Sequence, residues 1–287
     1  MATQQKFDAS EFRQQQRRQW DSAATGWKSW SKTIDTGAAA LSERMVELAR
    51  VERGSRVLDV AAGYGEPALT AAARAGAEGA VVATDISAEM LAFGNERAAD
   101  AGLDNIEFVE SDAASLEFPA ASFDAALSRF GIIFEPDGEA AAARIREFLK
   151  PGGRLAISSW GSPDRVPFIA IPMQTAIRRL GVAPPPPGTP GPLSRPTPEA
   201  LCGLLEAAGF SDVEAEQAEV TFAWGSPEAF TTFVKETVPP VSAMMAGRPP
   251  AVQDDTWEAI TEAVRDATRA HGAVRLSNLA LLAVGRA

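Results

Sequence analysis

The chain has a single cysteine and a single histidine among its 287 residues, and each scarcity excludes a kind of site. The lone Cys202 cannot form an intramolecular disulfide or a cysteine-rich metal site, and its helical surroundings predict a small core residue. The lone His271 is the one side chain whose unperturbed pKa lies near neutrality, so it is a candidate base. Its Ala-His-Gly setting is also typical of a helix end, where an imidazole interacts favourably with the helix dipole.

Long apolar runs and an excess of positive charge are missing too. No stretch approaches the roughly 18 consecutive apolar residues of a membrane span, and the polar N-terminus lacks the apolar run of a signal peptide. We therefore expect a cytoplasmic protein. The net charge of −11 argues against a nucleic-acid partner, because phosphate binding needs concentrated lysine and arginine. No metal site is indicated, and we expect a small-molecule partner.

Apolar segments of strand length alternate with helical patterns through the middle of the chain. Strands are predicted at 56–60, 80–84, 106–110, 123–127 and 154–158, and two more follow at 213–224 and 278–284. Such alternation predicts an α/β fold, with a mostly parallel sheet covered by helices on both faces. Ligands of these sheets bind at the carboxyl ends of the strands.

Four parts are predicted along the chain. Residues 1–53 form a helical segment, with helices at 7–24 and 34–51 on either side of a tryptophan cluster. Residues 54–160 form the α/β core. Residues 161–197 are a proline-rich insertion, since consecutive prolines cannot continue a helix or an inner strand. Residues 198–287 complete the core and carry a helical insertion at 227–272. We expect the first and third parts to act as lids.

The most informative motif joins the first predicted strand to a glycine turn. Asp59 lies in the strand, Gly63 and Gly65 form the turn, and the next strand ends at Asp85. Glycines let a ligand approach the backbone closely, and Asp85 is well placed to accept hydrogen bonds from ribose hydroxyls. Gly63-x-Gly65-x-x-Ala68 also satisfies the dinucleotide fingerprint. A carboxylate facing a pyrophosphate is unfavourable, however, so Asp59 favours a cationic ligand over a dinucleotide.

With these residues the chain resembles the class I S-adenosylmethionine-dependent methyltransferases, in particular the small-molecule branch that includes the ubiquinone/menaquinone C-methyltransferases. The family pattern acid-x-Gly-x-Gly-x-Gly stands here as Asp59-Val60-Ala61-Ala62-Gly63-Tyr64-Gly65, with Ala61 in place of the first glycine. The resemblance covers residues 13–160 well. It implies a Rossmann-like, seven-stranded, mostly parallel sheet with an antiparallel last strand.

The same resemblance implies a cofactor, S-adenosylmethionine, and a set of residues that bind it. Asp59 is expected near the amino-acid end of the cofactor, Asp85 at the ribose hydroxyls and Asp112 at the adenine amino group. The N-terminal segment of the family folds over the cofactor, and aromatic faces favour cations, so Trp27 is a further candidate. The full set of implied cofactor residues is Trp27, Asp59, Ala61, Gly63, Gly65, Asp85, Ile86, Met90, Asp112, Ala113 and Ser128.

Catalysis and the methyl acceptor are less defined by the sequence. Arg129 follows the fourth predicted strand and could orient an acidic or carbonyl-bearing acceptor, or pair with Glu135 or Asp137. A partly apolar acceptor is predicted from lid candidates, which are Phe130, Ile132, Ile133, Phe134, Phe168, Trp224, Phe230, Phe233, Met244 and Met245. Oxygen, nitrogen and carbon acceptors all stay open. Two alternative functions also stay open, an NAD(P)-dependent oxidoreductase and a non-catalytic cofactor-binding module that regulates a partner.

Overall fold

A computed structural model describes residues 8–186, 188–269 and 272–287 and contains a seven-stranded sheet. The strands are β1 Arg56–Val60, β2 Ala80–Asp85, β3 Ile106–Glu110, β4 Phe123–Arg129, β5 Leu149–Trp160, β6 Ser211–Trp224 and β7 Val274–Arg286. Their spatial order is β3-β2-β1-β4-β5-β7-β6. The first five strands pair in parallel, and β7 runs antiparallel to both β5 and β6. The predicted fold class is therefore confirmed.

The helices connect and cover these strands. They are α1 Ala9–Leu48, α2 Ala68–Ala75, α3 Ala88–Asp100, α4 Gly138–Phe148, α5 Pro167–Leu180, α6 Pro198–Ala207, α7 Pro227–Thr237, α8 Pro239–Met245 and α9 Pro250–Thr268. Neighbouring residues of the inner strands belong to two different apolar cores, as Val57 and Leu58 do on β1. A parallel strand that is buried on both faces explains why the sequence shows continuous apolar runs there. No helix in the described ranges is long and apolar enough to cross a membrane.

Helix α1 differs from its prediction, because it is one continuous helix of 40 residues rather than two. Asp8 caps its start by accepting hydrogen bonds from the backbone N–H groups of Ser10 and Glu11. Gly26 and Gly37 do not break it. A Cβ atom at Gly26 would lie 2.3 Å from the carbonyl oxygen of Glu236, so this glycine lets α1 approach α7 closely. The predicted break was wrong because close packing, not a turn, uses these glycines.

Two smaller predictions concern the second half of the chain. Cys202 is only half-buried on α6, so its assignment to the core was wrong.

The proline-rich segment lies against the loop that follows β4. There the Gly191 N–H and the Ser194 hydroxyl both donate to the carbonyl oxygen of Ile133, at 3.0 and 2.9 Å. This segment is thereby held beside the carboxyl end of the sheet.

Candidate functional site

A cavity of about 200 Å³ lies where the carboxyl ends of β1, β2 and β4 meet beneath α1. Eight residues that the sequence assigned to the site line it together, although they come from five separate segments. They are Trp27, Ala61, Gly63, Asp85, Ile86, Met90, Ala113 and Arg129. The carboxyl end of the parallel sheet thus gathers them into one pocket.

Four predicted residues do not line this cavity, and the structure gives each a different surrounding. The Ser128 hydroxyl is fully buried and accepts the Ile132 N–H at 3.0 Å, so it shapes the turn after β4 instead of facing the cavity. Gly65 packs against Leu69, and Asp59 and Asp112 are described below. His271 lies outside the described residues.

The glycine turn after β1 is held by backbone contacts and has a strained member. Ala61 has a φ of +58°, in the left-handed region that costs a non-glycine residue roughly 1–2 kcal/mol. Gly63 and Gly65 also have positive φ values, of +55° and +106°. The Gly63 N–H donates to Oδ2 of Asp85 at 2.8 Å, which joins the turn to the end of β2. Ala61 therefore keeps the backbone shape of a glycine position while adding a methyl group to the cavity wall.

Asp59 lies buried under this turn with no exposed surface. Neither of its carboxylate oxygens makes a hydrogen bond of ordinary geometry among the described residues. Burial raises its pKa well above the usual range, and the Arg129 guanidinium and the backbone N–H of Ala68 nearby oppose that shift. A buried carboxyl group without a partner is costly, so it suits a site that receives a cationic group close by.

Asp85 ends β2 and lines the cavity. Its Oδ1 and Oδ2 accept the N–H groups of Ser87 and Gly63, both at 2.8 Å. Burial raises the pKa of Asp85 to about 6, against the opposing effect of these backbone donors. Each carboxylate oxygen has a second lone pair, so Asp85 can still accept hydroxyl hydrogens.

Arg129 is the last residue of β4, and its half-buried side chain lines the cavity. It donates to the Ser42 hydroxyl at 2.8 Å and to the Tyr64 hydroxyl at 3.3 Å, and Tyr64 in turn donates to Asp35 at 2.7 Å. Within the described ranges no carboxylate forms an ion pair with Arg129. The predicted pairing with Glu135 or Asp137 was therefore wrong. An arginine in the wall with only hydroxyl partners offers the cavity a site for an anion.

Tyr64 lines the cavity, and its neighbours hold it in place. The side chain is 2% exposed, and burial raises the pKa of its hydroxyl further above the ordinary value. The Arg97 guanidinium lies 4.6 Å from the centre of the Tyr64 ring and pairs with Asp35 at 2.7 Å. Tyr64 thus connects α1, α3 and Arg129 as a fixed support.

Arg13 of α1 and Glu135 line the cavity, and Asp112 pairs with Arg13 without lining it. Oδ1 of Asp112 accepts the Ala114 N–H at 2.8 Å, and Oδ2 lies 2.8 Å from Nε of Arg13. Burial together with the Asp112 charge raises the pKa of Glu135 to about 7, while Arg13 opposes the shift. Sequence reasoning did not assign Arg13 to the site, because no local signal shows which helix face covers a site.

Part of the cavity lining is aromatic. Of the ten lid candidates, Phe130, Phe134, Phe168 and Phe233 line the cavity. The remaining six do not: Ile132, Ile133, Trp224, Phe230, Met244 and Met245. Trp160 and Phe222 line it as well but were missed. Phe222 was assigned to the predicted strand at 213–224, and Trp160 ends β5, two residues beyond the predicted strand at 154–158.

Two tryptophans of α1 have different positions. Trp27 lines the cavity and donates its indole N–H to the carbonyl oxygen of Thr237 at 3.1 Å. Trp30 does not line it. Its indole N–H donates to Glu236 at 2.6 Å and its ring packs edge-on against Phe233, so it anchors α1 to α7.

Comparisons with known sequences connect this geometry to a family. Residues 57–153 match a family described as a methyltransferase domain. The ubiquinone/menaquinone biosynthesis C-methyltransferase UbiE of Pseudomonas putida is 38% identical over 144 residues, which is 50% of this chain and 56% of that protein. UbiE of Stutzerimonas stutzeri is 32% identical over 186 residues, 58% of this chain and 70% of the relative. The aklanonic acid methyltransferase DauC of a Streptomyces species is 36% identical over 119 residues, 42% of this chain and 54% of DauC.

The chain thus spans about half the length of the Pseudomonas and Streptomyces relatives. Among solved structures, the [4+2]-cyclase SpnF has a TM-score of 0.61 at 21% identity, covering 95% of this chain and 96% of SpnF. YcgJ of Bacillus subtilis has a TM-score of 0.56 at 18% identity, covering 86% of this chain and 98% of YcgJ. At these identities the likeness is one of fold.

Proposed function

This chain belongs to the class I S-adenosylmethionine-dependent methyltransferases, in the group that resembles the ubiquinone/menaquinone C-methyltransferases, and from that premise we propose that it methylates a small, partly apolar molecule. The observation that carries the proposal is that one cavity has two kinds of lining. Asp85, at the end of a parallel strand, lines it together with Arg129, which has no carboxylate partner among the described residues. Aromatic rings line the same cavity.

The residues in and beneath this part of the lining fit S-adenosylmethionine. Asp85 would accept the ribose hydroxyls, and Ile86, Met90 and Ala113 would pack around the adenine. Arg129 would bind the α-carboxylate through the donors that Ser42 and Tyr64 leave free. The partnerless carboxyl group of Asp59 would favour the α-ammonium from beneath the turn. When bound, the cofactor supplies an activated methyl group on a cationic sulfur.

The protein's own part in the reaction is to position and to exclude water. Holding two reactants in line contributes roughly 7–11 kcal/mol to well-oriented intramolecular reactions. Trp20 and Trp27 of α1 cover the cavity, and Trp27 is fixed to the α7–α8 junction through Thr237. We propose that α1 and the proline-rich segment act as covers of the site. The accepting atom stays open, and the name of the UbiE relatives makes carbon one candidate.

Calorimetry with S-adenosylhomocysteine tests the cofactor assignment. We expect binding of S-adenosylhomocysteine and none of NADH, and the reverse pattern would instead support the oxidoreductase alternative. Transfer of labelled methyl groups to a panel of small acceptors, followed by mass spectrometry, tests catalysis. Binding without turnover across the panel would favour a non-catalytic module. The cytoplasmic location stays a prediction.

A further inference from the structure

The strand order determines which way a cofactor would lie across the cavity. Strands β3, β2, β1 and β4 are neighbours in that order, with Asp85 at the end of β2 and Arg129 at the end of β4. A cofactor with its ribose at Asp85 and its amino-acid part at Arg129 has its adenine on the β3 side. Ser111 and Ala113 follow β3 and line the cavity there. The Ser111 N–H donates to the carbonyl oxygen of Asp85 at 2.9 Å, so this segment adjoins the end of β2.

Asp112 lies between these two lining residues but does not line the cavity itself. The resemblance to known methyltransferases implied that it accepts a hydrogen bond from the adenine amino group. In this structure its Oδ1 accepts the Ala114 N–H, and its Oδ2 lies 2.8 Å from Nε of Arg13. Because Asp112 is paired with a helix residue and set back from the cavity, an adenine amino group there needs another acceptor.

Glu135 follows β4 and brings a carboxyl group to the same region. It is half-buried and lines the cavity. The charges of Asp112 and Arg13 act on its pKa in opposite directions, so both groups lie close to it. The other acids in the described lining, Asp85 and Glu66, accept hydrogen bonds from the chain, whereas the Glu135 carboxylate accepts none among the described residues. A half-buried carboxylate that faces a cavity without a donor is available to a ligand that brings one.

We propose that Glu135, rather than Asp112, accepts a hydrogen bond from the adenine amino group and makes the site select adenine over hypoxanthine. This inference rests on the proposed function, because it assumes that the cavity holds S-adenosylmethionine. An ionised carboxylate only accepts hydrogen bonds, so it suits the amino group of adenine. Hypoxanthine has a carbonyl oxygen at the same ring position, and two acceptors would then face each other. The Arg13 guanidinium nearby favours the ionised form of Glu135, which is the form that accepts.

The test compares S-adenosylhomocysteine with S-inosylhomocysteine, which differs from it only in the base. Each is titrated by calorimetry into the full chain at about pH 8, where Glu135 is mostly ionised. We expect S-adenosylhomocysteine to bind about 5- to 150-fold more tightly, the range of discrimination of a well-matched pair of hydrogen bonds to a base. Glu135→Gln should bring the ratio of the two Kd values close to 1, because an amide can turn either its oxygen or its NH₂ group toward the base.

The same ratio should depend on pH. Burial raises the pKa of Glu135 to about 7, so lowering the pH to 6 protonates it and lets it donate to the carbonyl of hypoxanthine. The preference should therefore decrease between pH 8 and pH 6 in the parent protein and stay constant in Glu135→Gln. Asp85 titrates in the same range, but both ligands carry the same ribose, so its effect cancels in the ratio.

Glu139→Gln is the matched control, because Glu139 pairs with Arg195 on α4 and does not line the cavity. It should leave the ratio unchanged. Equal Kd values for the two ligands in the parent would overturn the proposal, as would a Glu135→Gln variant that keeps the preference. Loss of the preference in Asp112→Asn but not in Glu135→Gln would return the role to Asp112. A parent that binds neither ligand would refute the proposed function, and this inference with it.

Discussion

Arg129→Met tests how the cavity recognises the amino-acid end of its cofactor. The substitution removes a guanidinium whose hydrogen-bond partners in the described structure are the hydroxyls of Ser42 and Tyr64. A hydrogen bond to a charged group contributes about 1.5–3 kcal/mol, so losing the carboxylate contact should raise the Kd of S-adenosylhomocysteine about 10- to 150-fold. The Kd of 5′-methylthioadenosine, which has the adenosine but no amino-acid end, should stay unchanged.

The stability of the free protein should respond differently from its affinity. Methionine removes a charge from the cavity wall, which offsets the loss of two hydrogen bonds to hydroxyls. Tyr64 still donates to Asp35 afterwards, so Asp35 keeps its partners. Asp59 loses the charge that opposes the rise of its pKa, which favours its neutral form. We expect the free energy of unfolding in urea to change by less than about 1 kcal/mol.

Arg97→Met is the matched control. Arg97 also contacts the Tyr64 ring, but it pairs directly with Asp35 and does not line the cavity. Its loss should lower the free energy of unfolding and leave the ratio of the two Kd values unchanged. If Arg129→Met weakened both ligands equally, Arg129 would support the shape of the pocket instead of binding a carboxylate, and the reasoning would be refuted.

Three further predictions concern the turn after β1 and its neighbours. The pKa of Asp59 is raised in the folded state, so its contribution to stability is present at low pH and is lost as pH rises through that pKa. Asp59→Asn should therefore make the free energy of unfolding in urea depend less on pH. Burial raises the pKa of Asp85 to about 6, and the carboxyl group must be ionised to accept ribose hydroxyls well. The affinity for 5′-methylthioadenosine should therefore decrease below pH 6, by up to about tenfold per pH unit. Asp85→Asn should remove this pH dependence. Gly131→Ala should lower the free energy of unfolding by about 1–3 kcal/mol through close contacts with Ala61, the Ser128 hydroxyl and the carbonyl oxygen of Val60. Adding Ala61→Gly should restore part of this loss, and equal losses in the single and double variants would contradict the contact with Ala61.

The sheet was predictable because its inner strands are buried on both faces. The run at 56–60 coincides with β1, and its apolar residues Val57, Leu58 and Val60 alternate between two cores. Helix α1 was not predictable as one element. Gly26 lies between the two predicted helices and Gly37 lies inside the second, and the structural role of both is close contact with α7 and β6, far along the chain.

The site was predictable only where a strand end determines it. Asp85 and Arg129 follow from the topology, since parallel strands bring their carboxyl ends together. Ser128 was misplaced because side chains alternate along a strand, so that Arg129 lines the cavity and its neighbour does not. Contacts between Arg129 and Ser42, or between Phe130 and Trp160, join distant segments and leave no local signal in the sequence.

The turns after β1 and β4 approach each other closely at the cavity wall. Ala61 follows β1 and Phe130 follows β4, both have positive φ values, and the two strands are neighbours in the sheet. A Cβ atom at position 131 would lie 2.4 Å from Cβ of Ala61 and 3.1 Å from the carbonyl oxygen of Val60, so both a side chain and the backbone of the first turn require a glycine there. A glycine at position 61, as the family pattern has it, would remove only the first of these contacts. Gly131 is therefore required by how closely the two turns approach, and not by the methyl group of Ala61 alone.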